Sequence, residues 1–256
     1  FLCKKEIVSM YSPDKSYTVY CKNCWWSDAW SAADYKQDIS FAELLNTKAP
    51  SFLGNIAEKY NSKVIHISTD YVFDGTSYTP YTESDMVNPE SVYGKTKLNG
   101  EIGLIKEHAS ALIIRTSWLY SSFGKNFLKT ILRLSEERDK LKVVFDQIGT
   151  PTYARDLAQA ILMIISKTEN GFVDWKPGIY HYSNEGVCSW YDFAKEILDL
   201  SGSGCDVLPI ESVDYPTPAK RPFYSVLNKS KIKRIFGIQI KHWQDSLAMC
   251  IEELNN

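Results

Sequence analysis

Two side chains with complementary acid–base chemistry, Tyr93 and Lys97, stand four positions apart on a predicted helix that is entered through Pro89. Residues at i and i+4 share one face of a helix, so the phenol and the ammonium group become neighbours. A nearby positive charge favours the phenolate and lowers the pKa of Tyr93 from its usual value of about 10. The pair therefore predicts a group that can give and take a proton near neutral pH.

A polar triplet, Ser68, Thr69 and Asp70, comes at the end of an apolar run that predicts a buried strand. Ligands in open α/β sheets bind outside the carboxyl ends of the strands, so a hydroxyl at this position could hold a substrate oxygen. Taken singly, each feature is more often structural. A Tyr-x-x-x-Lys pair is usually a helix surface contact, and Ser-Thr-Asp after a strand is usually a turn or a helix cap.

The elements that must position these side chains alternate between strand-like and helix-like patterns. Strands are predicted at residues 63–68, 111–116, 141–145, 178–182 and 206–209, and helices at 41–60, 89–108, 126–138, 155–167, 190–200 and 242–254. Ser189 followed by Asp192 predicts a capping box at the start of one helix. The alternation predicts an α/β fold, with a partial doubly wound (Rossmann-like) parallel sheet and a smaller C-terminal substrate-binding lobe.

Composition narrows the function classes. Among the 256 residues, 29 basic and 31 acidic side chains give a formal net charge of −2, so no basic excess indicates nucleic acid or an anionic membrane as a partner. The apolar runs fall short of the roughly 20 residues that cross a bilayer. No signal-peptide pattern is visible, and six cysteines are too few for a disulfide scaffold, so we expect a cytoplasmic protein. A start without Met indicates a fragment or a processed chain.

The ordered combination of motifs is far more specific than any one of them. The strand that ends in STDYVFDG, residues 68–75, is followed by VYGKTK, residues 92–97. This order resembles the extended short-chain dehydrogenase/reductase superfamily and, within it, the dTDP-4-dehydrorhamnose reductases, also called dTDP-L-rhamnose synthases. The resemblance covers about residues 42–254 and continues through RTSW at 115–118, GKNF at 124–127, the DQ-x-G-x-PT pattern at 146–152, GIYH at 178–181 and the A-x-RP-x-x-S pattern at 219–225.

The resemblance implies a reaction and roles for three residues. It implies the reduction of the 4-keto group of dTDP-4-dehydro-L-rhamnose to dTDP-L-rhamnose with NADPH or NADH. Thr69 would hydrogen-bond the substrate carbonyl, and Tyr93 would donate the proton to the developing alkoxide. Lys97 would lower the pKa of Tyr93, and these two residues would hold the nicotinamide ribose.

The resemblance also implies a pocket for the dTDP-sugar. Tyr71 stands where the related sugar-nucleotide dehydratases carry an acidic residue, which favours plain reduction over dehydration. Arg221 suits the diphosphate because a guanidinium forks onto phosphate oxygens. A homodimer is compatible with the resemblance, and neither nucleic acid nor membrane is expected as a partner. The substrate-binding residues that the resemblance implies are Asp70, Tyr71, Trp118, Asn126 and Arg221.

One departure from the family bears on the cofactor. Such enzymes open with a strand, a Gly-x-x-Gly-x-x-Gly turn and a helix whose N-terminus receives the cofactor pyrophosphate. The first glycine of this sequence is Gly54. Residues 41–256 are therefore predicted to be a reductase domain that lacks the N-terminal glycine-rich loop half. The alternative function is a non-catalytic sugar-nucleotide-binding or partner subunit.

Residues 1–40 form a separate segment rich in Cys and Trp. Cys3 precedes Cys21 and Cys24, whose Cys-x-x-Cys spacing resembles part of a zinc ribbon. A closed zinc site needs four ligands, so a metal site and a pair of reduced cysteines in an aromatic cluster both stay open, and no metal ligand is assigned. A zinc-ribbon adaptor for nucleic acid is disfavoured because no basic cluster surrounds Cys21.

Overall fold

The computed structural model describes residues 9–12, 15–18, 39–217 and 221–255. A π-helical turn, Leu44–Lys48, joins the first two helices. The helices are α1 (Ile39–Glu43), α2 (Ala49–Lys59), α3 (Val92–Glu107), α4 (Phe127–Glu137), α5 (Ala154–Glu169), α6 (Trp190–Ser201), α7 (Ser230–Phe236) and α8 (Trp243–Asn255). The strands are β1 (Ser9–Ser12), β2 (Lys15–Thr18), β3 (Ile65–Thr69), β4 (Leu112–Thr116), β5 (Leu119–Tyr120), β6 (Lys140–Val144), β7 (Ile148–Gly149), β8 (Thr152–Tyr153), β9 (Gly178–His181), β10 (Cys188–Ser189) and β11 (Asp206–Ile210).

The site is positioned by a three-stranded parallel sheet with the order β3-β4-β9. Every residue of the central strand β4 is buried, as expected for a parallel strand covered on both faces. Thr69 pairs with Thr116, and Arg115 pairs with His181, so the polar ends of the three strands lie at one edge. A second parallel pair, β6 and β11, belongs to the C-terminal lobe. The predicted α/β class with parallel sheets is confirmed.

Two large apolar clusters hold the elements together. One lies between the three-stranded sheet and helices α5 and α7, and it includes Leu112, Ile164 and Phe236. The other fills the lobe formed by α4, α6, α8 and β6, and it is centred on the fully buried Phe193. Burial of large aromatic and aliphatic side chains contributes roughly 1.5–3 kcal/mol each, so these clusters are the main source of stability.

The predicted helices and strands are present with shifts of a few residues at their ends, except that the π-helical turn divides the helix predicted at 41–60 into α1 and α2. The capping box is confirmed: the Ser189 hydroxyl accepts from the Asp192 N–H, and the Asp192 carboxylate accepts from the Ser189 N–H. The helix predicted from Pro89 begins instead at Val92, because the Ser91 side chain caps it. The short helix α7 was not predicted, since it spans only 7 residues and has no side-chain cap.

In the N-terminal segment, the structure describes β1 and β2, which pair antiparallel. The predictions for this segment concern residues outside the described ranges. Cys3, Cys21 and Cys24 belong to the part of the chain that is not described. Over the described ranges, no helix is long and apolar enough to span a membrane.

Candidate active site

The Ser-Thr-Asp triplet forms the carboxyl end of β3 and the start of a 3-10 turn, Asp70–Val72. Thr69 caps this turn: its hydroxyl oxygen accepts a hydrogen bond from the Tyr71 N–H at 3.2 Å. The same hydroxyl donates to Asp70 Oδ1 at 3.0 Å. Thr69 and Asp70 are both buried, so the turn presents a hydroxyl and a carboxyl group away from bulk water.

Helix α3 packs directly on this turn. A Cβ atom at Gly94 would lie 2.2 Å from the Tyr71 carbonyl oxygen, so only glycine allows the helix to approach so closely. The Tyr71 and Tyr93 rings meet edge to face, with 5.7 Å between centroids and an interplanar angle of 76°. The structure therefore places the phenol of Tyr93 beside the turn that carries Thr69.

Lys97 lies one helical turn after Tyr93 and is only 3% exposed. Its Nζ donates to the carbonyl oxygen of Ile67 at 2.8 Å, which fixes the ammonium group behind the end of β3. Burial lowers the pKa of Lys97 to about 8, although the charge of Glu101, one turn further along α3, opposes the shift. A cation held at this position favours the phenolate form of a neighbouring tyrosine.

A buried ion pair anchors the helix to the central strand. Arg115 Nε donates to Glu101 Oε1 at 3.0 Å, and Arg115 Nη2 donates to Glu101 Oε2 at 2.7 Å. The guanidinium group also lies over the Phe73 ring, 5.2 Å from its centroid. Sequence reasoning missed this pair. The signals were a charged residue inside an apolar strand and an acidic residue four positions after Lys97.

Trp118 belongs to a group of residues that extends through Gly149 and Ser225 toward Asp70. It has a positive φ of 44°, which is unusual for a bulky residue and often marks a functional site. Its ring stacks on Trp190 with 3.6 Å between centroids. A Cβ atom at Gly149 would lie 2.5 Å from Trp118 and 2.6 Å from the Ser225 hydroxyl, so the side chains of Trp118 and Ser225 both pack closely against the Gly149 backbone. Ser225 in turn is one of the groups that favour the charged form of Asp70.

Asn126 is the N-cap of α4. Its Oδ1 accepts from the Lys129 N–H at 3.1 Å, while its Nδ2 donates to the carbonyl oxygens of Ser121 at 2.7 Å and Phe123 at 3.3 Å. Both amide hydrogens are thus used by the main chain. Donation from this amide to a diphosphate would require these bonds to break.

Arg221 is half-buried and stands directly after a stretch that is not described. The following residue, Pro222, lies against Gly75, where a Cβ atom would be 2.3 Å from the proline ring. Gly75 has φ +77°, so glycine serves both the backbone conformation and the close approach. This contact places the segment of Arg221 next to the end of the 68–75 motif.

The residues present fit one end of a nicotinamide dinucleotide. Tyr93 and the buried Lys97 supply a phenol and an ammonium group that could bind ribose hydroxyls. For the pyrophosphate end, the described ranges contain no glycine-rich turn that follows a strand ahead of β3. In the same ranges, no group of three or more His, Cys, Asp or Glu residues is arranged to hold a metal ion.

Comparisons with known proteins identify the family of the chain. The family described as the RmlD substrate binding domain matches residues 22–256. The chain is 42% identical to a dTDP-4-dehydrorhamnose reductase from Aggregatibacter actinomycetemcomitans, over 86% of this chain and 76% of that protein. It is 38% identical to the spore coat polysaccharide biosynthesis protein SpsK from Bacillus subtilis, over 89% of this chain and 77% of that protein.

Solved structures give the same result. A dTDP-4-dehydrorhamnose reductase from Clostridium acetobutylicum has a TM-score of 0.82 and 40% identity, and the alignment covers 88% of this chain and 78% of that chain. A dTDP-4-dehydrorhamnose reductase from Bacillus anthracis, solved in complex with NADP, has a TM-score of 0.80 and 34% identity, with 89% and 77% covered. The predicted resemblance is therefore confirmed, and the chain belongs to the dTDP-4-dehydrorhamnose reductase family.

Proposed function

We propose that this chain reduces the 4-keto group of dTDP-4-dehydro-L-rhamnose to give dTDP-L-rhamnose, and that Thr69, Tyr93 and Lys97 carry the proton chemistry. The observation that carries the proposal is the buried Lys97, one helical turn from Tyr93 and bonded to the end of the strand that bears Thr69. A charge that is buried at a cost in desolvation and held by a main-chain carbonyl is typical of a site built for chemistry.

Each residue has a defined task in this scheme. The Thr69 hydroxyl donates a hydrogen bond to the substrate carbonyl oxygen and draws charge onto it. Tyr93 then gives its phenolic proton to the same oxygen as the alkoxide develops. Lys97 stabilises the phenolate that remains, because its ammonium group is fixed nearby.

The cofactor, NADPH or NADH, supplies the hydride when it is bound. Tyr93 and Lys97 would hold its nicotinamide ribose, and a relative with 34% identity was solved in complex with NADP. The proposed sugar-nucleotide site adds Asp70, Tyr71 and Trp118 around the sugar, with Asn126 and Arg221 toward the diphosphate. Tyr71 supports reduction over elimination, since its ring packs against Tyr93 where a dehydratase would need a carboxyl group.

The direct test is an assay of the purified chain with dTDP-4-dehydro-L-rhamnose and NADPH, or NADH, followed by identification of the product. Oxidation of the cofactor together with formation of dTDP-L-rhamnose supports the proposal. Formation of any other sugar nucleotide, or oxidation that does not depend on the sugar nucleotide, contradicts it.

A second candidate function, binding of the sugar nucleotide without turnover, is favoured by one observation: the first glycine of the sequence is Gly54. Without a glycine turn at a helix N-terminus, the cofactor diphosphate loses charge-assisted hydrogen bonds worth roughly 1.5–3 kcal/mol each. Two such losses weaken binding about a hundredfold or more. Calorimetry that finds dTDP binding but no NADPH binding supports this candidate, whereas micromolar NADPH binding contradicts it.

A further inference from the structure

The Thr69 hydroxyl has one hydrogen and two acceptor positions, and its bonds can be counted. It accepts one hydrogen bond, from the Tyr71 N–H. It donates its only hydrogen to Asp70 Oδ1 at 3.0 Å. While Thr69 donates to Asp70, it has no hydrogen left for a substrate carbonyl. The bond pattern of the structure is therefore not the pattern that the proposed reaction needs.

The protonation state of Asp70 decides whether the Thr69 hydrogen is available to a substrate carbonyl. It is 4% exposed, and its second oxygen, Oδ2, has no hydrogen-bond partner among the described residues. An ionised carboxylate only accepts hydrogen bonds, so it must take the hydrogen of Thr69. A neutral carboxyl group has a hydrogen of its own, which it can donate to the free acceptor position of the Thr69 oxygen.

We propose that Asp70 is a positioning residue, and that its neutral form releases the Thr69 hydroxyl to hydrogen-bond the substrate carbonyl. In this form the Thr69 oxygen accepts from the Tyr71 N–H and from the Asp70 carboxyl group. Its own hydrogen is then free for the substrate. The inference rests on the proposed reaction at this same site, and it assigns Asp70 a task beyond lining the sugar pocket.

The surroundings of Asp70 support a neutral form near physiological pH. Burial raises the pKa of Asp70 to about 7, although the Thr69 hydroxyl, the nearby Ser225 hydroxyl and the main chain favour the charged form. The titratable side chains on the adjoining elements include His66 on β3, Tyr93, Lys97 and Glu101 on α3, Tyr71 on the turn itself, and Arg221 and Tyr224 on the segment that carries Ser225. None of these is among the main causes of the shift.

Electrostatic repulsion is a second reason to expect that neutral Asp70 is the active form. The substrate oxygen becomes negative as the hydride arrives, and an ionised carboxylate one hydrogen bond away from Thr69 would repel that charge. A neutral Asp70 removes the repulsion and frees the donor together. The ionised form of Asp70 is therefore the less active form on both grounds.

The first measurement needs no turnover. Carbon NMR of the protein labelled at aspartate carboxyl carbons, with Asp70→Asn to assign the signal, follows the ionisation of Asp70. We expect a midpoint near 7 and a higher midpoint in Thr69→Val, because that change removes a donor that stabilises the carboxylate. A midpoint below 5, or no change in Thr69→Val, overturns the proposal.

The second measurement is the pH profile of kcat/KM. Asp70→Asn keeps the shape of the side chain, and its amide can donate to Thr69 at every pH. Wild type should lose about tenfold in kcat/KM for each pH unit above the midpoint of Asp70. In Asp70→Asn this limb should be gone, and any remaining limb should begin only at the higher pH where Lys97, with its pKa of about 8, loses its charge. A limb that persists unchanged in Asp70→Asn refutes the proposal.

The two proposals fail in different ways. If Tyr93→Phe retains full turnover, the proposed reaction scheme is wrong whatever Asp70 does. If Tyr93→Phe is inactive and the Asp70 limb persists in Asp70→Asn, the scheme stands and the role of Asp70 is wrong. Should Asp70→Asn fold poorly, the aspartate signal whose midpoint rises in Thr69→Val identifies Asp70, and its midpoint in wild type decides the question.

Discussion

Two buried regions of this protein are built on opposite principles. The buried polar layer beside the proposed catalytic groups, here named the catalytic layer, lies between α3 and the sheet and comprises Ser68, Asp70, Lys97, Glu101 and Arg115. The aromatic core of the C-terminal lobe packs Phe193 among other rings, with Phe127 5.6 Å away and Trp243 5.9 Å away.

The difference shows which region raises the free energy of unfolding and which region lowers it. In the catalytic layer, Ser68 Oγ and Asp70 Oδ2 have no hydrogen-bond partner among the described residues, and Lys97 is buried with a lowered pKa. Burial of such groups is costly. In the aromatic core, ring packing adds to the free energy of area burial. The lobe therefore offsets the cost of buried polar groups that the proposed reaction requires.

The largest effect is expected where the catalytic layer meets substrate. Tyr93→Phe should lower turnover about 10²–10⁴-fold, since the proposed general acid is lost, while the free energy of unfolding changes little. Steady-state kinetics and urea unfolding measure the two quantities on the same preparation. Tyr78→Phe is the matched control, because Tyr78 is 92% exposed and should leave both unchanged. Equal turnover in the two variants would remove Tyr93 from the mechanism.

The ion pair between Arg115 and Glu101 offers a test of how much an unpaired buried charge lowers the free energy of unfolding. Arg115→Met leaves Glu101 buried without its partner and should lower the free energy of unfolding by about 3–5 kcal/mol. The double variant with Glu101→Met should recover most of that loss, because two apolar side chains can replace a buried pair. Urea unfolding of the four proteins completes the cycle. A double variant as unstable as Arg115→Met would show that the arginine acts through packing on Phe73 instead.

The aromatic core should respond in stability alone. Phe193 is fully buried, and Phe193→Ala should cost about 3–5 kcal/mol through lost burial and the cavity that remains. The pH profile of kcat/KM of the folded fraction should match that of wild type, because no titratable group of the catalytic layer has moved. A shifted profile would mean that the lobe tunes the active site, which would break the contrast between the two regions.

The sequence was informative wherever the deciding contacts are local. The alternation of patterns predicted the parallel sheet, and the spacing of Tyr93 and Lys97 predicted a shared helix face that the structure bears out with the buried Lys97 next to β3. The capping box of Ser189 was equally readable, since three residues define it. The start of α3 was wrongly predicted at Pro89. Pro89 and Ser91 are both residue types that begin helices, and in the structure the Ser91 cap sets the start at Val92.

Features that depend on distant parts of the chain could not be predicted. The pairing of Glu101 with Arg115 requires the register between a helix and the strand that follows it. The environment of Asp70 includes the hydroxyl of Ser225, which lies far along the chain. One local feature was also missed: Asn126 is a helix cap, a role for which Asn is a preferred residue, whereas the family resemblance assigned this side chain to the substrate.

The smallest expected effect concerns Asn126, which was predicted to contact the substrate and which the structure shows as a helix cap. Asn126→Ala should cost about 1 kcal/mol in the free energy of unfolding, the usual cost of a lost N-cap. Ser189→Ala, at the N-cap of α6, is the matched control with a similar expected cost. Calorimetry with dTDP separates the two roles, because only a ligand-binding Asn126 weakens affinity beyond the control. Equal dTDP affinity in the two variants would leave Asn126 as a cap alone, since its amide hydrogens already bond the main chain.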